Sequence, residues 1–258
     1  MAEPGPAHGG LSARGVTVRY GGVAAVSEVD IDVRPGTIVG LIGPNGAGKT
    51  SFIDAITGFA RATGEITLDG VRIDGLRPHA RRRAGLARTW QSGELFNGMT
   101  VAQNVLVCVK PPVLGTVWRD LVGRRAHHDA VVDELLARVG LAHLAGAQAG
   151  SLTLGQQKLV GVARALAGAA RTLLLDEPAA GLDSSESLAF AERVRAIVDA
   201  GPGALLIDHD MELVLKVCDM IYVLEFGRLI FAGSPAEVRD DPGVIAAYLG
   251  SAGGQSRG

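Results

Sequence analysis

Two hydrophobic periods divide this chain of 258 residues into elements. Val16-Thr17-Val18-Arg19-Tyr20 and Val29-Asp30-Ile31-Asp32-Val33 alternate apolar with polar, the spacing of strands with one buried face. Glu65 to Gly70 repeats the style and ends in a turn, so the three predict a half-exposed antiparallel sheet. Thr37 to Ile42 is instead a continuous apolar run, as in a strand buried on both faces, and it enters a Gly-rich loop. Gly48 to Thr57 is predicted as the helix that follows. From about Ser92 to Leu152 the pattern changes, and no apolar run of strand quality follows Val105-Leu106-Val107. Val131, Val132, Leu135, Leu136 and Val139 then recur at helical spacing, which reads as an inserted helical lobe. Core strands return at Thr172 to Leu175 and Ala204 to Ile207, separated by a helix from Ser184 to Ala200 that stops at Gly201. Ile221 to Leu224 and Leu229 to Phe231, joined through Gly227, predict a hairpin. Ser234-Pro235-Ala236-Glu237 then starts a helix, with capping-box spacing and Pro at the first helical position.

The order describes one α/β domain over residues 12–250, with the helical part inserted at about 92–165. Met1 to about Leu11 and Ser251 to Gly258 have the small, polar composition of disordered ends. Composition agrees with a parallel core: 47% of residues are hydrophobic but only 4% aromatic, so Val, Leu, Ile and Ala must fill it. A formal net charge of −2 gives no electrostatic reason to expect a nucleic-acid partner. The local run Arg81-Arg82-Arg83 reads as a solvated helix face near a partner surface. Cys108 and Cys218 are far apart in apolar surroundings and read as small core residues. No apolar run reaches the ~18 residues that span a bilayer, and no signal pattern opens the chain. It is expected to be cytosolic in itself, meeting a membrane only through a partner.

Candidate chemistry lies at two strand ends. Gly43-Pro44-Asn45-Gly46-Ala47-Gly48-Lys49-Thr50 sits between strand and helix, the context a phosphate-binding loop requires. Its glycines let backbone N–H groups turn toward an anion, and the helix start adds a favourable field. Lys49 is placed to hold the β- and γ-phosphates, the Thr50 hydroxyl to ligate Mg²⁺, and Ser51 completes the expected ATP-binding stretch. The second strand, Leu173-Leu174-Leu175, ends in Asp176-Glu177. Asp176 is assigned to Mg²⁺ through its water shell and Glu177 to the attacking water as general base.

Between them lies Leu152-Thr153-Leu154-Gly155-Gln156-Gln157, a Gly-Gln helix start some twenty residues before the acid pair. This order resembles the ATP-binding cassette (ABC) ATPases. The resemblance implies a P-loop NTPase core of RecA-like α/β fold, an N-terminal antiparallel β-subdomain and an inserted α-helical subdomain. It implies that Leu152, Thr153, Leu154, Gly155 and Gln156 form the signature segment, which reaches across a dimer to the ATP of the other chain. His209 matches the switch histidine that contacts the γ-phosphate. Gln91, in Arg88-Thr89-Trp90-Gln91, matches the glutamine that senses Mg²⁺ and water. Tyr20 matches the aromatic that stacks on adenine, and Asp183, in Ala180-Gly181-Leu182-Asp183, the D-loop. Two departures stand out: Leu154 replaces the first glycine of the commonest signature, and Ala180 lacks a serine hydroxyl.

A narrower resemblance joins Leu95-Phe96, Met99-Thr100-Val101, Asn104, His209-Asp210-Met211 and Ala247-Tyr248-Leu249-Gly250 to the ATPases of branched-chain amino-acid importers. The extra stretch Lys110 to His128 matches the longer of that importer's two ATPase subunits. The resemblance implies a second ABC ATPase subunit, identical or sister, as partner. It further implies transmembrane permease subunits received between Gln91 and about Trp118, an indirect role for a periplasmic or extracellular substrate-binding protein, and a place on the cytoplasmic face of the membrane. Relatives serving urea, short amides or lipid export keep other cargoes open. A soluble ABC protein without a membrane partner is the further alternative, and a non-hydrolysing regulatory cassette is weighed against Glu177 and His209, both present.

Overall fold

The computed structural model describes residues 9–89, 95–109 and 120–252. Strands β1 (Leu11–Tyr20) and β2 (Val23–Val33) pair antiparallel, and β3 (Ile38–Ile42) then leads into helix α1 (Lys49–Thr57). The chain returns through β4 (Ala62–Leu68) and β5 (Val71–Arg72) to complete a first sheet of order β2-β1-β4-β5. In β1, Ala13 and Val16 are three apart yet both fully buried, because a bulge between them absorbs the extra residue and restores the inward face.

The second sheet holds β3 with four later strands and β6 (Leu86–Thr89), in the order β10-β9-β3-β8-β7-β6. Its members are β7 (Thr172–Asp176), β8 (Gly203–Ile207), β9 (Met220–Glu225) and β10 (Arg228–Gly233). All its pairs are parallel except the closing β9–β10 hairpin. Both faces are covered, so successive residues of one strand enter different cores. Leu173 and Leu175 pack with the helices of the inserted region, whereas Leu174 packs with α1 and the first sheet.

Helix α2 (Pro78–Ala84) precedes β6, and between β6 and β7 the described residues form α3 (Val101–Leu106), α4 (Asp120–Arg138) and α5 (Leu154–Ala167). Helix α6 (Ser184–Asp199) links β7 to β8, and α7 (Met211–Val217) links β8 to β9. The chain closes with α8 (Pro235–Asp240) and α9 (Pro242–Ala252). Among the described residues no helix is long and apolar enough to cross a membrane.

Several expectations need correction. Val105 and Leu106 belong to helix α3, not to a strand; a short apolar run carries no period of its own, and the capping box Thr100–Gln103 decides the matter. Strand β6 is too short and too charged to be read from its pattern. Arg81 is not solvated: only 4% exposed, it donates to the carbonyls of Ala55 and Ile56 (2.7 Å each) and of Leu76 (2.9 Å). It thereby adds a donor to carbonyls in the last turn of α1, and burial lowers its pKa. Ser251 and Ala252 continue α9, and β1 already begins at Leu11. The remaining residues expected to be disordered, 1–8 and 253–258, lie outside the described residues.

Candidate functional site

The phosphate loop is built by steric exclusion. Gly43, Gly46 and Gly48 have φ of 148°, 80° and 104°, values that L side chains rarely adopt. A Cβ at Gly43 would collide with the Leu224 carbonyl and one at Gly48 with the Ala25 carbonyl. The β9–β10 hairpin braces the loop from behind, Gly227 N–H donating to the Ala47 carbonyl at 2.9 Å. Gly48 is the N-cap of α1, and no side chain among the described residues caps it. The helix start is thus left open toward the loop, which also exposes Asn45, Gly46 and Thr50.

Lys49 folds back over the loop, its Nζ donating to the carbonyls of Gly43 (2.6 Å) and Pro44 (3.0 Å). Burial lowers its pKa below the ordinary lysine value, and the charges of Glu177 and then Asp176 oppose that shift. The loop and the acid pair therefore share one electrostatic neighbourhood. Asp176 ends β7 opposite Ile207, and Glu177 N–H donates to the Ile207 carbonyl at 2.7 Å. Glu177 itself has φ of 45°, a left-handed backbone that turns the chain sharply out of the strand.

Two groups missing from the sequence reading hold this region. Arg88, on β6, donates to Asp54 Oδ1 at 2.6 Å and to Asp176 Oδ2 at 2.7 Å. Asp208, 2% exposed at the end of β8, accepts from Ala179 N–H (3.3 Å) and Asp210 N–H (3.1 Å) and lies 3.6 Å from His209 Nδ1. It ties the segment after Glu177 to the segment carrying His209, whose own side chain is largely exposed. A charged residue directly after an apolar strand was the available signal for Asp208. For Arg88 the partners lie 34 and 88 residues away and no local pattern announces them.

The signature segment opens α5 as an ordinary capped helix. Thr153 Oγ1 accepts from Gln156 N–H at 3.3 Å, and Gln156 Oε1 accepts from Thr153 N–H at 3.0 Å. Thr153 and Leu154 are exposed, Leu152 is buried, and Gly155 and Gly181 face Leu182 and Leu154 respectively across the D-loop. Asp183 caps α6, accepting from Glu186 N–H and Ser185 Oγ at 2.8 Å each. Lys158, one turn into α5, is buried enough to lower its pKa, with Asp208 and then Glu177 opposing. A cavity of about 950 Å³ separates α5 from the strand ends, lined among others by Arg88, Leu154, Lys158, Asp176 and Glu177. Tyr20 stands 55% exposed at the end of β1. Gln91 lies outside the described residues, as does the whole of Trp90 to Glu94.

The cysteines differ from one another. Burial raises the Cys218 thiol pKa far above the usual range, as a core residue requires. Cys108 is only half-buried, lines the cavity and lies 3.5 Å from Arg164 Nε.

The oxygen donors expected for Mg²⁺ suit that ion: the exposed Thr50 hydroxyl and the Asp176 carboxylate are hard ligands beside a loop open to phosphate.

The family model described as ABC transporter matches residues 26–180, and that of the branched-chain amino acid ATP-binding cassette transporter matches residues 228–253. The chain is 39% identical over 252 residues to BraF of Pseudomonas aeruginosa, a high-affinity branched-chain amino acid transport ATP-binding protein, covering 94% of this chain and 98% of that one. With LivG of Escherichia coli, of the same description, identity is 38% over 250 residues at the same coverage. A solved ATP-binding cassette of an ABC transporter, in its ADP conformation, is similar with a TM-score of 0.82 and 29% identity, covering 93% of this chain and 98% of that one.

Proposed function

This chain belongs to the ABC transporter ATP-binding family and is an ATPase of it, and we propose that it energises uptake of branched-chain amino acids. The observation that carries the reading is the shared neighbourhood of Lys49, Glu177 and Asp176, in a chain whose relatives serve that transport along nearly their whole length.

Lys49 and the N–H groups of the phosphate loop bind the β- and γ-phosphates of ATP, Lys49 exchanging its contacts with Gly43 and Pro44 for phosphate oxygens. Thr50 and Asp176 hold Mg²⁺, which supplies charge neutralisation on those phosphates. Glu177 takes a proton from the attacking water, and His209, steadied by Asp208, contacts the γ-phosphate beside it. Tyr20 packs on adenine. Gln91 reports the state of this centre to the permease.

The exposed start of α5 supports a site completed by a second cassette. Two chains, identical or sister, close head-to-tail, each ATP lying between Lys49 of one and the Thr153–Gly155 segment of the other. Closure drives permease subunits on the cytoplasmic face of the membrane, and hydrolysis reopens the pair. The loop bearing Phe96, half exposed and pinned through buried Asn104, is the docking surface for the permease. A substrate-binding protein outside the membrane supplies the amino acid.

Glu177→Gln tests the centre. Hydrolysis should fall by roughly 10²–10⁴-fold, while ATP is retained and a stable dimer appears on gel filtration. A variant that stays monomeric with ATP, or hydrolyses at the wild-type rate, removes Glu177 from this role. Disruption of the gene should abolish uptake of labelled leucine; unchanged leucine uptake with lost urea or amide uptake reassigns the cargo.

A further inference from the structure

Burying a guanidinium requires compensation, and Arg88 receives it from two directions. Its side chain is 7% exposed, whereas those of Asp54 and Asp176 are 29% and 16% exposed. One arm of the fork holds Asp54 Oδ1 at 2.6 Å, the other Asp176 Oδ2 at 2.7 Å. Both are charge-assisted bonds of fixed geometry, which a planar guanidinium forms and an ammonium cannot reproduce.

The three residues sit on three different elements. Asp54 lies on α1, the helix that the phosphate loop opens, and Asp176 ends β7. Arg88 lies on β6, whose register places it beside Leu174, three residues before Gln91. The ion pair therefore fixes the spacing between the phosphate-loop helix and the carboxylate at the neighbouring strand end.

We propose that Arg88 is the positioning residue for the metal centre: through Oδ2 it orients the Asp176 carboxylate toward the Mg²⁺ of Mg·ATP, with Asp54 as its anchor. The proposal rests on the reading of Asp176 as a Mg²⁺-water ligand given above. Two effects of the cation compete. Its charge opposes a nearby Mg²⁺, and its geometry aims the carboxylate that binds it. A carboxylate acting through water needs direction more than extra charge, so geometry prevails.

The test measures binding alone. A fluorescent ATP analogue is titrated into the purified chain with EDTA and again with excess Mg²⁺, and the ratio of the two affinities gives the metal coupling. In wild type that ratio should exceed about tenfold. Arg88→Ala should reduce it at least fivefold while the affinity in EDTA changes less than about twofold. Arg88→Lys keeps the charge but not the fork, and should lose nearly as much coupling. Asp54→Asn keeps both Arg88 and Asp176, removes the anchor and should give an intermediate loss; it carries the test if Arg88→Ala does not fold.

Unchanged coupling in both Arg88→Lys and Asp54→Asn would reduce the ion pair to a structural role and overturn the proposal. Stronger coupling in Arg88→Ala would overturn it the other way, showing that charge outweighs geometry. Absence of coupling in wild type would sink the Mg²⁺ reading of Asp176 itself, an outcome distinct from failure of Arg88 alone.

Discussion

Helices α1 and α5 both start at a segment expected to meet phosphate, yet their first turns are finished in opposite ways. Helix α1 begins at Gly48, in left-handed backbone, with no side-chain cap among the described residues. Helix α5 begins at Thr153 with both halves of a capping box made. Side chains also cap α3, α6, α7 and α8. An uncapped start leaves N–H donors without partners, which costs stability unless a ligand takes them. At α1 that cost falls beside Lys49 and the glycine-rich loop. At α5 the box consumes the N–H groups of Thr153 and Gln156, and the proposed pairing would use those of Leu154 and Gly155 for an anion brought by another chain. On the proposed pairing of two cassettes, one helix start serves its own chain and the other serves its partner.

The same substitution at the two starts should separate them most strongly. Gly48→Ala forces a Cβ against the Ala25 carbonyl at φ of 104°. It should cost roughly 1–3 kcal/mol in stability and weaken ATP binding by about 100-fold or more, near 2.7 kcal/mol. At Gly155 the nearest atom to an added Cβ is Leu182 Cδ2, at 3.8 Å. Gly155→Ala should therefore leave ATP binding to the isolated chain intact and raise stability by up to ~1 kcal/mol through helix propensity. Denaturant melts and nucleotide titration read both. Equal losses of binding in the two variants would end the distinction between near and far sides.

A smaller effect dissects the far side. Thr153→Ala removes the hydroxyl that accepts from Gln156, and Gln156→Ala the group that accepts from Thr153. Each should destabilise by about 1 kcal/mol. On the proposed pairing, only the threonine change also removes a group offered to the γ-phosphate held by the partner, so it alone should lower hydrolysis, by roughly tenfold if one hydrogen bond is lost in the transition state. Thr153→Ser should restore both. Comparable hydrolysis losses in Thr153→Ala and Gln156→Ala would mean that the capped shape, not the hydroxyl, serves the second chain.

The contrast also explains what the sequence made legible. Residues whose role depends on near neighbours were readable: the glycines 43, 46 and 48, the apolar strands into Gly43 and Asp176, and the box at Ser234. Residues whose role depends on a distant partner were not. Arg81 looked solvated because two of the carbonyls it satisfies lie 26 and 25 residues away on α1. Arg88 interrupts β6 and hides it, since Asp54 and Asp176, which answer its charge, reach it through folding. Helix α3 was misread for another reason: Val105-Leu106-Val107 is too short to show a period, and its boundary signal at Thr100 and Gln103 lies just outside the apolar run. The distinction between α1 and α5 was itself invisible, because a Gly-rich start and a Thr-led start both fit an anion site.

The chemistry of the caps offers the finest division. At α6 the cap is a carboxylate: Asp183 accepts from Glu186 N–H and Ser185 Oγ, and the Glu186 N–H bond above all lowers its pKa below the usual aspartate value. Because the folded value lies below the unfolded one, this stabilisation is complete above the unfolded pKa of about 4. It disappears as pH falls through the folded value. The α5 cap is built from a hydroxyl and an amide, which do not titrate. Thr153→Ala should therefore melt at a constant distance below wild type from pH 7 to pH 3. Asp183→Asn keeps a good cap without its charge, so its deficit should narrow in acid. Glu186 belongs to the same box and is retained in both proteins. Parallel acid profiles for wild type and Asp183→Asn would show that the α6 cap draws nothing from ionisation. The difference between the charged and neutral helix starts would then be one of hydrogen-bond geometry alone.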